Sequence, residues 1–107
     1  MRNNFDIDIA TQLILPIVAR RRELPYSELR EKVVRGDIQT GDIKAPNGEL
    51  YQFELLFYWD DKPEGDVRII ASIFIDPRGP YVNESFIKAP DGRFIGEDDA
   101  HLKAGRK

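Results

Sequence analysis

At 107 residues, 41% hydrophobic and 33% charged with a formal net charge of -3, the chain has the size and mix of one globular domain. Seven prolines and eight glycines are too few for a linker protein. With no cysteine and one histidine, His101, disulfides and thiolate nucleophiles are excluded, as are histidine triads and multi-histidine zinc sites built within one chain.

In chain order, the first predicted element is a helix over residues 7–22. Ile9, Ala10, Leu13, Ile14, Ile17 and Val18 recur at spacings of three and four, which lines one helix face with apolar groups. Pro16 interrupts the pattern, so the expectation is a bend there or a helix that begins near Leu15. After Leu24 and Pro25, the run Tyr26-Ser27-Glu28 opens a second helix, with Leu29, Val33 and Val34 as its stripe and Gly36 as its stop.

Beyond Gly36 the period changes to two. Residues 49–59 alternate Tyr51, Phe53, Leu55, Phe57 and Trp59 with Leu50, Gln52, Glu54, Leu56 and Tyr58; residues 66–76 set Val67, Ile69, Ala71, Ile73 and Ile75 against Arg68, Ile70, Ser72 and Phe74. These strands pair as a hairpin through the polar loop 60–65. The octets 43–50 and 87–94 match closely, and each places Pro, then Asn or Asp, then Gly at the three central positions of a turn. They predict a strand near 37–44 and a C-terminal pair near 85–89 and 93–97, with 77–80 as an irregular link. The expected fold is α+β: two N-terminal helices packed on one face of an antiparallel meander of four to five strands, a two-layer sandwich. Residues 1–97 form the single domain and 98–107 a flexible tail.

Charge is uneven. Residues 1–36 carry +2, residues 37–99 carry -8 and residues 100–107 carry +3. Arg20, Arg21, Arg22, Arg30, Lys32 and Arg35 would make a basic patch, but Glu23, Glu28 and Glu31 dilute it, and cations closing a helix already suit its dipole. The helix pair resembles the opening of a winged-helix domain without the groove-reading third helix, so nucleic acid is not the expected partner. No apolar run is long enough to span a bilayer and no signal-peptide order is present, so a cytoplasmic setting without membrane association is expected.

Two carboxylate features point to metal chemistry. Asp60, Asp61, Glu64 and Asp66 form the densest acidic cluster, although their spacing departs from that of a calcium loop and Lys62 and Pro63 break it. Asp42-Ile43-Lys44 has the acid-x-lysine spacing of metal-dependent nucleases, with Asp37 or Glu54 as the second acid. A carboxylate-based, metal-dependent hydrolase or nuclease is therefore the alternative reading. The preferred one is non-enzymatic, with no catalytic residue, metal or cofactor assigned.

The preferred reading rests on the second sheet face. Leu50, Leu56, Tyr58, Arg68, Ile70 and Phe74 share it and are assigned as the partner-binding residues, apolar groups ringed by charge. The competing expectation is that a C-terminal hairpin bearing Phe86, Ile87, Phe94 and Ile95 folds across that face. The closing stretch Glu84-Ser85-Phe86-Ile87-Lys88-Ala89-Pro90-Asp91-Gly92-Arg93-Phe94-Ile95-Gly96-Glu97 resembles the C-terminal segment of certain small bacterial proteins of unknown function, some of them similar to immunity proteins that sit beside secreted toxins. The resemblance implies a bacterial inhibitor-type protein that binds a protein partner. Self-association as a homodimer through the same face is the variant.

Overall fold

A computed structural model describes residues 4–97; the tail expected at 98–107 lies outside the described residues. Two helices, α1 (Ile7–Arg22) and α2 (Tyr26–Arg35), precede four strands, β1 (Ile38–Lys44), β2 (Leu50–Trp59), β3 (Val67–Phe74) and β4 (Tyr81–Lys88). The strands form one antiparallel sheet in the order β1-β2-β3-β4, and both helices lie on one side of it. This is the expected two-layer α+β arrangement.

Helix α1 starts at Ile7, eight residues ahead of Leu15, because Asp6 caps it: one carboxylate oxygen accepts the N–H groups of Asp8 and Ile9. Pro16 lies inside the helix. Its missing N–H orphans the carbonyl of Gln12, and both residues are exposed, so water satisfies that carbonyl at little cost. Helix α2 ends as expected at Gly36, whose φ of 69° returns its N–H to the Val33 carbonyl.

The two matching octets build the same turn. Gly48 (φ 89°) donates to Ala45 O and Gly92 (φ 94°) to Ala89 O, while Asn47 and Asp91 accept the N–H groups of Glu49 and Arg93. Their consequences differ. The first turn closes the β1–β2 hairpin, whereas after the second the pairing stops at a single bridge, Phe94 to Lys88, framed by Ala89 N–H to Arg93 O and Ile95 N–H to Ile87 O. The strand expected at 93–97 is absent, and β4 begins at Tyr81 instead of near Ser85. The reason is the 76–80 connection, which closes tightly through Gly79 N–H to Asp76 O and lets β4 pair with β3 along all eight residues.

The core lies between helices and sheet. Tyr51, Leu55, Ile69, Ala71 and Ile73 from the strands meet Ala10, Ile14, Ile17, Val18 and Leu29 from the helices. The Tyr51 hydroxyl accepts the Asp6 N–H, tying the start of α1 to β2. At Gly41 an added Cβ would lie 2.7 Å from Phe53 Cζ, so this glycine lets the Phe53 ring lie against the β1 backbone.

The far end of α1 is held by a buried cation. Lys88 is 8% exposed and its ammonium donates to the carbonyls of Arg22 (3.0 Å) and Leu24 (2.8 Å), just where the helix runs out of donors. Lys88→Met keeps the apolar stem but leaves both carbonyls unpaired. We expect it to lower stability by about 1–3 kcal/mol, seen as a reduced urea midpoint with an unchanged m-value; an unchanged midpoint would remove this role.

Candidate functional site

The strand registers sort the side of the sheet away from the helices into rows. Ile38, Leu56, Ile70 and Ser85 form one, and Tyr58, Arg68 and Ile87 the next toward the β2–β3 loop. On the other side of the first row run Thr40, Glu54, Ser72 and Asn83, followed by Asp42, Gln52, Phe74 and Tyr81. All six residues assigned to partner binding share this face. They do not form one patch, because the polar Glu54 row separates Leu56, Tyr58, Arg68 and Ile70 from Phe74 and Leu50.

No helix or hairpin among the described residues covers this face. The expectation that the C-terminal hairpin folds across it is corrected: β4 joins the sheet, and the segment after it curls to the helix side. There Phe94 meets Phe86 edge-on at 5.8 Å, and the Arg22 guanidinium sits 3.9 Å from the Phe94 centroid while pairing with Glu97 at 2.7 and 2.8 Å. That hydrogen-bonded pair raises the Arg22 pKa. The open face keeps Ile38 at 61% exposure, Tyr58 at 44%, Leu50 at 52% and Tyr81 at 60%, with Leu56, Ile70, Ile87 and Phe74 half-buried. A sheet face this apolar that meets water is suited to docking, since removing it from water is favourable without rearranging the core.

Most arginines of the basic cluster are engaged in contacts within the fold. Arg21 spans to Gln39 on β1 and is held below its ordinary pKa by burial and by Arg20. Arg35 meets Asp37, and Arg30 makes a two-point pair with Glu64 at 2.6 and 3.0 Å. Arg21, Arg22, Arg30 and Arg35 are thus tethers.

The acidic loop is tied down in the same way. Glu64 belongs to Arg30, Asp60 accepts from Arg68 at 2.8 Å, and the Tyr26 hydroxyl donates to Gly65 O at 2.6 Å, so α2 is strapped to the hairpin loop. Burial, with Glu64 nearby, raises the Tyr26 pKa. Among the described residues no three metal-ligating side chains come together. Asp42 and Lys44 are exposed on edge strand β1 and share the open face with Glu54, while Asp37 points to the other side with Arg35. Sequence reading missed the depression of about 290 Å³ lined by Glu54, Ser72, Phe74, Pro77, Tyr81 and Asn83. Its signal was available only in part, because Tyr81 and Asn83 lay in a stretch not read as strand.

No protein-family model matches this chain, and neither does any curated protein or solved structure. The functional reading therefore rests on the geometry of the face itself.

The Arg30 pair makes a pH prediction. Its hydrogen bond holds the Glu64 carboxyl below the ordinary value of 4.5. A lowered folded pKa adds stability that is complete above the unfolded value and is lost as pH falls through the folded one. Melting temperatures between about pH 3 and pH 7 should fall on the acid side, and Arg30→Gln or added salt should flatten that fall. Asp91, lowered by the N–H and guanidinium of Arg93, keeps part of the slope in the variant. An acid slope identical in Arg30→Gln would rule out this contribution.

Proposed function

We propose that the chain is a non-enzymatic protein-interaction module of the immunity or inhibitor type, binding a protein partner through the open sheet face. The observation that carries this reading is the apolar group of Leu56, Ile70, Ile38 and Tyr58, which none of the described residues covers, flanked by Arg68 in its pair with Asp60. Interface cores have this character: aromatic and aliphatic groups in the middle with hydrogen-bonded charge at the rim. The acidic balance of residues 37–99 favours a basic partner, as inhibitors of nucleases require, and speeds the encounter. A bacterial cytoplasm is the setting this reading carries. A second copy of the chain is the variant occupant of the face.

The test is capture of the tagged protein's partners from a lysate of its source organism at low and moderate salt, beside Leu56→Asp and Tyr58→Ala. One protein retained stoichiometrically by the wild type and lost from both variants, with circular dichroism and melting preserved, is the expected result. Tyr58→Ala removes an exposed ring, so it remains informative if Leu56→Asp fails to fold. Retention that ignores both substitutions, or none at all, defeats the reading. Sedimentation over a range of concentrations then distinguishes self-association, which both variants should abolish.

A further inference from the structure

We propose that the depression at the β3–β4 end of the open face is a guanidinium-binding subsite that takes an arginine side chain of the protein partner. This rests on the open face being the docking surface and names the chemistry recognised there.

Glu54 carries the inference. It stands mid-sheet, half-buried, beside Ser72 and one strand further from Asn83, and its carboxylate has no hydrogen bond or ion pair among the described residues. Three half-buried carboxylates elsewhere are paired with arginine, Asp60 with Arg68, Asp37 with Arg35 and Glu97 with Arg22, whereas Glu54, with no such pair among the described residues, is the carboxylate that lines the depression. Removal of an unpaired carboxylate from water by a docking partner is costly unless that partner brings a cation.

The surroundings select which cation. Ser72 Oγ donates to Asn83 Oδ1 at 2.7 Å, so the floor beside Glu54 is a fixed, neutral hydrogen-bonded pair. Phe74 and Tyr81 face each other in register one row away, and Pro77 closes the end. A flat guanidinium lies against aromatic faces while its fork meets one carboxylate at two points; a compact ammonium does only the second, and more weakly. Arg78, the cation in the adjoining loop, is exposed and outside the lining. At about 290 Å³ and open to solvent, the depression fits one side chain rather than an enclosed metabolite.

The experiment titrates the isotope-labelled full chain with the peptide acetyl-Gly-Arg-Gly-amide and with its citrulline counterpart, which keeps the shape and loses the charge. The arginine peptide should shift the amide resonances of Glu54, Ser72, Phe74, Tyr81 and Asn83. The citrulline peptide, and Glu54→Gln with the arginine peptide, should each bind about tenfold more weakly. Tyr81→Ala, at an exposed ring, should also weaken binding while the spectrum remains dispersed. Shifts elsewhere, equal binding of citrulline, or binding indifferent to Glu54→Gln overturn the proposal. Partner retention lost in Leu56→Asp and Tyr58→Ala while the arginine peptide does not bind would refute the subsite alone. Peptide binding at Glu54 with retention unaffected by those two variants would refute the docking face and leave the subsite standing.

Discussion

Because side chains alternate along a strand, the register that sets Phe53 beside Ile73, Leu55 beside Ala71 and Phe57 beside Ile69 gathers an unbroken apolar set from β2 and β3 on one side. A slip of one residue would turn Tyr51, Leu55 and Phe57 to water and bring Gln52, Glu54 and Tyr58 into the core. The helices have only one side on which to bury Ala10, Ile14, Ile17, Val18 and Leu29, so this central pairing decides which layer they occupy. It also decides, by subtraction, which face of the sheet remains open.

Polar tethers refine what burial begins. Lys88 reaches from β4 to the carbonyls at the end of α1, Arg22 stacks on Phe94 and pairs with Glu97, and Arg30 with Tyr26 straps α2 to the β2–β3 loop. The exposed pairs add little stability one by one. Their geometry matters more, since each joins a helix to a different edge or loop of the sheet. With Arg21, which reaches Gln39 on β1, they engage three arginines of the N-terminal third as scaffolding, in keeping with the reading of those cations as structural rather than nucleic-acid-binding.

The same tethers explain the open face. With Phe86 and Phe94 drawn to the helix side, nothing remains among the described residues to cover Leu56, Ile70 and Tyr58. That face is divided by the row of Thr40, Glu54, Ser72 and Asn83 into an apolar end and an aromatic end. A partner that fits it must therefore present apolar surface and, over Glu54, a charge of opposite sign. The proposed interaction module and its guanidinium subsite are two consequences of this one arrangement.

Local pattern alone determined the two helices, the long hairpin of β2 and β3, the repeated turn and the sharing of one face by Leu50, Leu56, Tyr58, Arg68, Ile70 and Phe74. Each follows from a period, a cap or a turn residue acting over a few positions. Periodicity placed α1 at residues 7–22, as found; the alternative start near Leu15, drawn from Pro16, does not occur, because the carbonyl that the proline orphans lies on the exposed side and Asp6 caps the helix at Ile7. Periodicity misplaced β4, whose alternation of Tyr81, Asn83 and Ser85 with Val82, Glu84 and Phe86 is too weakly apolar to mark a strand until β3 supplies the partner. Only the tertiary structure decided that the C-terminal segment turns toward the helices, that Lys88 is buried, and that Glu54 stands mid-sheet with no partner among the described residues. Those outcomes depend on contacts between residues tens of positions apart, which no local period encodes.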